Sequence, residues 1–481
     1  MKNFPTEVVQ RIVSNLQDVK NPHYLFSTLM VNKEWCKVSV PYLWELTLDY
    51  IPDKYNSYKC IITYLSNAEE SSRNFLRNHG MDLLTSPPWS TFNYPTYLTS
   101  INYHHLAILI QSYLSKTNDD NNDDFISAKE RLIFQELFKL FMKKSKYIKK
   151  ITIPDTINLD GIMEDIPFIT RYNGASKCLR GLKEFYCYWN FNGSFYKSIL
   201  NICKNIQIIK IYIDAYYDVE YLSKLISIQS NLKQLKIEVQ EITVGSSIII
   251  NDYCTPIFNS ILDQKNSIQK LELINFSFQF ADKEIFEKLI NCKYLRFLSI
   301  YKCKFLESLN FSSLNEAIII NCPNLEILKL STSLNRKNIL DIFSSCNQLK
   351  YFSFKGNHGG NNENNLLIQM SKFVPLTLEI LEIQMCLQHP WIFSADSLKF
   401  FLKASKNLKL LKIIHKEPQQ TLDQQFSNPL TPENSTMKTL SREHFDVIKE
   451  SGIGLYMTSG IKFSKKLYPN YVHTIEIPRK I

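Results

Sequence analysis

The sequence predicts an α/β fold in which an N-terminal three-helix unit is followed by a curved solenoid of strand–helix repeats. Parallel strands are expected on the concave side of the solenoid and helices on its convex side. Two observations lead to this prediction. Ten blocks with the pattern apolar-x-x-apolar-x-apolar lie between residues 148 and 413, and three amphipathic helical patterns lie within residues 1–46. Sequence periods of roughly 20–50 residues are typical of repeat arrays.

The composition is that of a globular protein and argues against several other classes. The 481 residues are 44% hydrophobic and 21% charged, and only 12 are glycine. So little glycine argues against collagen and glycine-rich phosphate-binding architectures. No apolar run approaches the length of a membrane span, and the first residues lack the apolar core of a secretory signal. The net charge of +10 permits an acidic or phosphorylated partner but does not require nucleic acid.

The N-terminal unit, residues 1–46, opens with a helical pattern over residues 4–16. Pro5 suits the first turn, where a missing backbone N–H costs no helical hydrogen bond. Apolar residues recur at helical spacing along this segment: Val8, Val9, Ile12, Val13 and Leu16. A unit of this length rarely folds alone without staples or a partner, and an exposed apolar stripe invites association.

Residues 47–146 form a helical and irregular connecting region that leads into the repeats. Helical patterns lie at 101–114 and 129–142, and the acidic, solvated loop at 118–124 separates them. No apolar residue in this loop offers a contact with a core. The region as a whole shows no repeat.

The repeats occupy residues 147–415, and about ten of them are present in degenerate form. Their blocks begin at residues 148, 182, 206, 232, 268, 295, 325, 349, 378 and 408, an average step of about 29 residues. Helical patterns between blocks are clearest at 281–289, 336–343 and 395–402. Residues 416–440 are expected to form a surface loop. Residues 441–481, with a helical pattern at 443–448 and a strand pattern at 472–477, are expected to form a terminal repeat or cap.

The x positions of the blocks carry charges of both signs. They are Lys149, Lys150, Lys233, Lys236, Lys329, Lys350, Lys409 and Lys412, mixed with Glu184, Glu272, Glu326, Glu379 and Glu382. One interpretation is a solvated charged face, and the other is a concavity that binds a partner. Mixed signs argue against a nucleic-acid groove, which would carry one sign.

The repeat blocks resemble leucine-rich repeats of the cysteine-containing subtype. Residues 321–330 nearly match a consensus line of that subtype, and Cys203, Cys292, Cys322 and Cys346 each stand three residues before a repeat leucine or isoleucine. The resemblance implies free thiols buried between turns of the solenoid. None of the 11 cysteines falls in a C-x-x-C pair, so neither a metal site nor a disulfide framework is expected.

The N-terminal unit resembles an F-box. The pattern is present as Phe4-Pro5-Thr6-Glu7-Val8, then Val31-Asn32-Lys33-Glu34-Trp35, then Leu43-Trp44. Phe4 replaces the usual leucine, and Asn32 replaces the usual cysteine or serine. An F-box followed by leucine-rich repeats is a known family arrangement, so each half supports the interpretation of the other.

The resemblance implies a substrate-recognition adaptor of a Skp–cullin–F-box ubiquitin ligase. Its F-box would dock on the Skp-type adaptor, and its repeats would capture a protein substrate of unknown identity. The docking surface would be drawn from Phe4, Pro5, Val8, Val9, Ile12, Leu16, Leu29, Val31, Trp35 and Trp44. Roughly half of these are expected at the interface, since Ile12, Leu29 and Trp35 could instead form the core of the three-helix unit.

No enzyme motif accompanies this pattern. The sequence contains no G-x-S-x-G, Walker loop, G-x-G-x-x-G or H-E-x-x-H, so we expect a non-catalytic protein without cofactors. With no signal or membrane span in the pattern, a cytoplasmic or nuclear location is expected. Two alternatives stay open: a leucine-rich-repeat scaffold or regulator that no longer engages a ligase, and a nucleic-acid-binding solenoid.

Overall fold

The computed structural model describes most of the chain as two compact units, Met1–Leu232 and Lys233–Ile481. The described residues are 4–16, 23–49, 58–81, 91–117, 123–154, 169–188, 193–213, 219–239, 254–276, 278, 292–303, 318, 323–356, 364–386, 393–416, 442–458 and 474–477. Within them, none of the helices combines the length and the apolar composition needed to span a membrane.

The first unit opens with three helices, α1 (Thr6–Asn15), α2 (His23–Leu29) and α3 (Lys33–Glu45). Val9, Val13 and Leu25 form their buried core. The Oδ1 atom of Asn32 accepts hydrogen bonds from the backbone N–H groups of Glu34 and Trp35, both at 3.0 Å. Asparagine is among the best residues for this capping role. Asn32, which stands where the pattern usually has cysteine or serine, therefore caps the start of α3.

Four further helices and a short 3₁₀ helix pack behind α3. They are α4 (Tyr58–Ser66), α5 (Glu70–Asn78), the 3₁₀ helix Tyr94–Tyr97, α6 (Tyr103–Thr117) and α7 (Asp123–Lys144). The indole of Trp44 meets Tyr64 edge-on at 5.2 Å and lies 4.2 Å from the ring of Tyr94. Tyr64 in turn contacts Phe141 at 5.0 Å, so α3, α4 and α7 share one aromatic core.

The sheet of the first unit is parallel, and its strands lie side by side in chain order. They are β1 (Ser100–Asn102), β2 (Lys150–Ile153), β3 (Glu184–Cys187) and β4 (Ile208–Ile213). The helices α8 (Ala175–Cys178), α9 (Gly193–Ile202) and α10 (Glu220–Ser227) follow in the same unit. Because β1 lies inside residues 47–146, the sheet begins one strand before the first predicted block.

The second unit repeats this arrangement with more strands. Eight neighbouring strands are parallel: β5 (Gln234–Val239), β6 (Lys270–Ile274), β7 (Phe297–Tyr301), β8 (Ile327–Leu334), β9 (Tyr351–Gly356), β10 (Ile380–Cys386), β11 (Leu410–Lys416) and β12 (Gly454–Thr458). A final strand, β13 (Thr474–Ile477), pairs antiparallel with β12. The helices are α11 (Cys254–Asp263), α12 (Arg336–Ser345), α13 (Asn364–Phe373), α14 (Ala395–Ala404) and α15 (Arg442–Ser451).

Each of the ten predicted blocks contains a strand, from β2 to β11. The helical patterns at 336–343, 395–402 and 443–448 lie in α12, α14 and α15, whereas residues 281–289 and 417–440 fall outside the described residues. Alternate side chains of the strands point into a buried core. In one such contact, the ring centre of Phe352 in β9 lies 5.5 Å from that of Phe343 in α12. Strand order and burial together define an α/β repeat fold of the leucine-rich-repeat kind.

The prediction of free, buried thiols is confirmed for the described cysteines at the turns. Cys203, Cys292 and Cys346 are free and buried, and Cys322 lies outside the described residues. The thiol of Cys203 donates a hydrogen bond to the carbonyl of Leu179, at 3.3 Å. Burial raises the pKa of Cys203 to about 12, which leaves the thiol protonated and inert as a nucleophile.

Gly174, the residue before α8, provides a test of the packing of α8 against α7. Its φ is +90°, and an added Cβ would lie 2.4 Å from the carbonyl oxygen of Met142. We expect Gly174→Ala to lower the free energy of unfolding by about 2 kcal/mol, because both the backbone conformation and the contact oppose a side chain. Gly452→Ala is the matched control. Gly452 has φ +67° with open space around its Cβ position, and the expected loss is about 1 kcal/mol. Urea unfolding measures both, and equal losses would contradict the packing argument.

Candidate protein-binding surfaces

The first candidate surface lies on the N-terminal helices. Seven of the fifteen exposed large apolar side chains among the described residues belong to residues 4–31. They are Phe4, Val8, Ile12, Tyr24, Phe26, Met30 and Val31, here called the N-terminal apolar set. Val8 and Ile12 stand four residues apart on α1 and share one face of that helix. This concentration of exposed apolar side chains is typical of a protein-binding region.

The residues predicted to dock on an adaptor fall into three groups by exposure. Phe4, Pro5, Val8, Ile12 and Val31 are exposed, and Val9 is buried at 3%. The half-buried group consists of Leu16, Leu29, Trp35 and Trp44. Ile12, which could have been a core residue, therefore faces outward, whereas Val9 takes the core position.

Tyr24, Phe26 and Met30 are members of the set that the sequence pattern did not single out. The exposed fractions of their side chains are 57%, 53% and 86%. Their neighbours Leu25 and Thr28 are buried, so α2 is apolar on both its inner and its outer side. Three apolar residues in succession, Tyr24 to Phe26, are the only sequence signal for such a helix.

The end of α3 is fixed to the first two strands. The backbone N–H of Thr99 donates to the carbonyl of Glu45 at 3.1 Å, and the Glu45 carboxylate pairs with Lys149 at 2.9 Å. Asp49 pairs with Lys150 at 3.4 Å. The N-terminal helices are thus joined to the sheet of the first unit by hydrogen bonds and ion pairs as well as by the chain.

The second candidate surface is the sheet face of the second unit whose described side chains are mostly half-buried, here called the open face. Its residues form rows across the strands, since parallel strands in register align their side chains. One row contains Lys270, Phe297, Ile327, Tyr351, Ile380 and Leu410. The next contains Lys236, Glu272, Ser299, Lys329, Ser353, Glu382 and Lys412. The first row is mostly apolar and half-buried, and the second is mostly charged.

Each described carboxylate of the open face lies near a lysine. Glu238 pairs with Lys236 at 3.0 Å, Glu272 with Lys270 at 2.7 Å, and Glu382 lies 4.0 Å from Lys412. The remaining lysine of the second row, Lys329, lies 4.8 Å from the ring centre of Tyr351 and 5.8 Å from that of Phe297. Both distances are within the range of cation–π attraction.

Glu382 is the centre of a buried polar network on this face. Its carboxylate accepts hydrogen bonds from the hydroxyl groups of Tyr351 at 2.5 Å and Ser353 at 2.8 Å, and from the Gln384 amide at 3.2 Å. Burial alone would raise the pKa of Glu382, but these three donors and Lys412 hold it below the usual value of 4.5. The network therefore contains an ionised carboxylate at neutral pH.

In the second unit, the other charged x positions directly precede their strands. Lys350 and Arg296 both pair with Glu326, at 2.7 and 3.7 Å, and Lys409 pairs with Glu379 at 2.6 Å. These exposed pairs lie at the strand ends and involve none of the open-face side chains. In the part of the chain that the structure describes, no three metal-ligating side chains converge on one point.

Comparisons with known proteins give a limited likeness. No family model and no curated protein matches the sequence. The chain is similar to the leucine-rich repeat-containing protein LegL7 of Legionella pneumophila, with 12% identity and a TM-score of 0.32 over 69% of this chain and 90% of that one. It is also similar to an internalin, InlF, of Listeria monocytogenes, with 12% identity and a TM-score of 0.30 over 59% and 78% of the two chains. The repeat fold described above rests on the chain's own strand order and burial.

Proposed function

We propose that the protein is a substrate-recognition adaptor of a Skp–cullin–F-box ubiquitin ligase. The N-terminal apolar set docks on the Skp-type adaptor, and the repeats bind the protein that is to be ubiquitinated. The observation that carries this proposal is the concentration of exposed apolar side chains on a three-helix unit whose sequence resembles an F-box.

The size of this apolar set supports docking on a protein partner. A large apolar side chain that passes from exposed to fully buried contributes about 1.5–3 kcal/mol. Because the seven side chains are already partly covered, their joint burial would supply on the order of 10 kcal/mol before the cost of association. That gain is compatible with a stable complex.

The attachment of α3 to the first sheet supports a positioning role. The contacts of Glu45 with Thr99 and Lys149, the residues directly before β1 and β2, join the end of α3 to the first sheet. An adaptor of this class contributes no catalytic group. It raises the effective concentration of substrate lysines near the ubiquitin carrier, and a fixed attachment makes that effect stronger than a flexible tether would.

Co-purification with a Skp-type adaptor tests the proposal. We expect a one-to-one complex with the full chain, and a loss of affinity of about a hundredfold in the Val8→Asp, Ile12→Asp double variant, because two charges would be buried without partners. Gln10→Asp, an exposed change on the same helix, is the matched control and should bind within about twofold of the wild type. Circular dichroism verifies that all three chains fold.

Two outcomes would contradict the proposal. A well-folded wild-type chain that fails to bind the adaptor would leave a repeat scaffold that acts without a ligase. Binding that survives in the double variant would move the docking surface away from α1.

A further inference from the structure

We infer that the open face of the second unit binds an extended acidic segment of a partner protein, whose carboxylates contact Lys329 and Lys355. This inference names the class of protein that the repeats capture, and in that sense it rests on the proposed function.

The open face carries more positive than negative charge. From β5 to β11 its described charged side chains are five lysines, Lys236, Lys270, Lys329, Lys355 and Lys412, and three glutamates, Glu238, Glu272 and Glu382. Each glutamate lies near a different lysine. Among the described residues no carboxylate forms an ion pair with Lys329 or Lys355, which leaves an excess of two positive charges.

Lys329 is held at the middle of this face. It is paired in register with Ser299 of β7 on one side and with Ser353 of β9 on the other. The rings of Tyr351 and Phe297 flank its ammonium group. Aromatic rings attract a cation without neutralising it, so the ammonium group is positioned and still able to bind an anion.

The second lysine is placed for an extended ligand. Lys355 follows Ser353 by two residues, on the same face of β9, so its Cα lies about 8 Å from that of Lys329 by ordinary strand spacing and rise. In an extended peptide, alternate side chains point the same way and stand about 7 Å apart. Acidic residues at alternate positions would therefore match the two lysines.

The chemistry favours carboxylates over phosphates. Phosphate recognition commonly uses the planar fork of arginine, which donates two parallel hydrogen bonds. None of the described open-face side chains from β5 to β11 is arginine, and Arg296, just before β7, pairs with Glu326. Isolated ammonium groups on an apolar and aromatic background suit single carboxylates, and the half-buried row of Ile327, Tyr351 and Ile380 offers apolar contact beside them.

Fluorescence anisotropy with a labelled synthetic peptide tests the inference on the full chain. In the probe, glutamate alternates with threonine; a second peptide carries glutamine in place of glutamate, and a third carries phosphoserine. We expect the glutamate peptide to bind at least about tenfold tighter than the glutamine peptide. Lys329→Gln and Lys355→Gln should each weaken binding by about threefold to fivefold, and the double variant by about tenfold.

Lys372→Gln is the matched control, since Lys372 is an exposed lysine on α13 away from the sheet. It should leave the affinity unchanged. Equal binding of the glutamate and glutamine peptides, an unchanged affinity in the Lys329 and Lys355 double variant, or a clear preference for the phosphoserine peptide would each overturn the inference. A chain that binds the Skp-type adaptor but not the glutamate peptide loses only this inference. A chain that binds the peptide but not the adaptor loses only the ligase role.

Discussion

Replacing Trp44 with alanine is expected to lower the free energy of unfolding of the first unit by about 3 kcal/mol. The indole is the contact through which α3 meets Tyr64 of α4 and Tyr94 of the 3₁₀ helix, at 5.2 and 4.2 Å. Its removal would leave a cavity between the N-terminal helices and the aromatic core behind them. Urea unfolding of the full chain, followed by circular dichroism, measures the loss.

Tyr24→Ala is the control for Trp44→Ala, because Tyr24 is an aromatic residue of the same helical unit with 57% of its side chain exposed. We expect that variant to unfold within about 0.5 kcal/mol of the wild type. Trp44→Phe should recover part of the loss, since a smaller ring still fills some of the space. Identical stability of Trp44→Ala and Tyr24→Ala would show that the indole contacts contribute nothing to the attachment of α3.

Replacing Glu382 with alanine is the second change with a large expected effect. We expect it to lower the free energy of unfolding by about 3 kcal/mol. The change would deprive the hydroxyl groups of Tyr351 and Ser353 of their acceptor inside a buried network. A buried donor left without a partner costs about 1–3 kcal/mol. Glu272→Ala is the matched control in the same row. Glu272 has one ion pair, with Lys270, and its loss should cost at most about 1 kcal/mol.

The same network gives a pH dependence whose sign follows from the pKa of Glu382. That pKa is held below the usual 4.5 in the folded protein, so the stabilisation is present above pH 4.5 and is lost as the pH falls through the folded-state pKa. The difference in unfolding free energy between the wild type and Glu382→Gln should therefore shrink below pH 4.5. A difference that stays constant down to pH 3 would show that the Glu382 carboxylate is not stabilised by folding.

The sequence predicts the ten strands from β2 to β11 well, because an alternating apolar pattern directly reflects a strand with one buried face. It does not predict β1. Ser100 to Asn102 form a strand of three residues that runs straight into α6, and so short a segment has no alternation of its own. The antiparallel direction of β13 is equally invisible, since alternation has no polarity along the chain.

The N-terminal unit shows where local pattern stops being informative. On α1 the four residues Val8, Val9, Ile12 and Val13 are all apolar, yet Val9 and Val13 are buried while Val8 and Ile12 are exposed. The choice depends on where α2 and α3 lie, and the sequence of α1 does not contain that information. Similarly, the burial of Glu382 depends on donors from β9 and β10 that only the fold brings together.

The agreement between strand order and chain order has a consequence for how the protein is made. Within each unit, every described strand after the first pairs with the strand that precedes it in the sequence. A polypeptide leaves the ribosome amino end first, so each new strand emerges when its neighbour has already been synthesised. Folding of either unit can therefore advance one repeat at a time during translation, with short loop closures and little delay between synthesis and pairing.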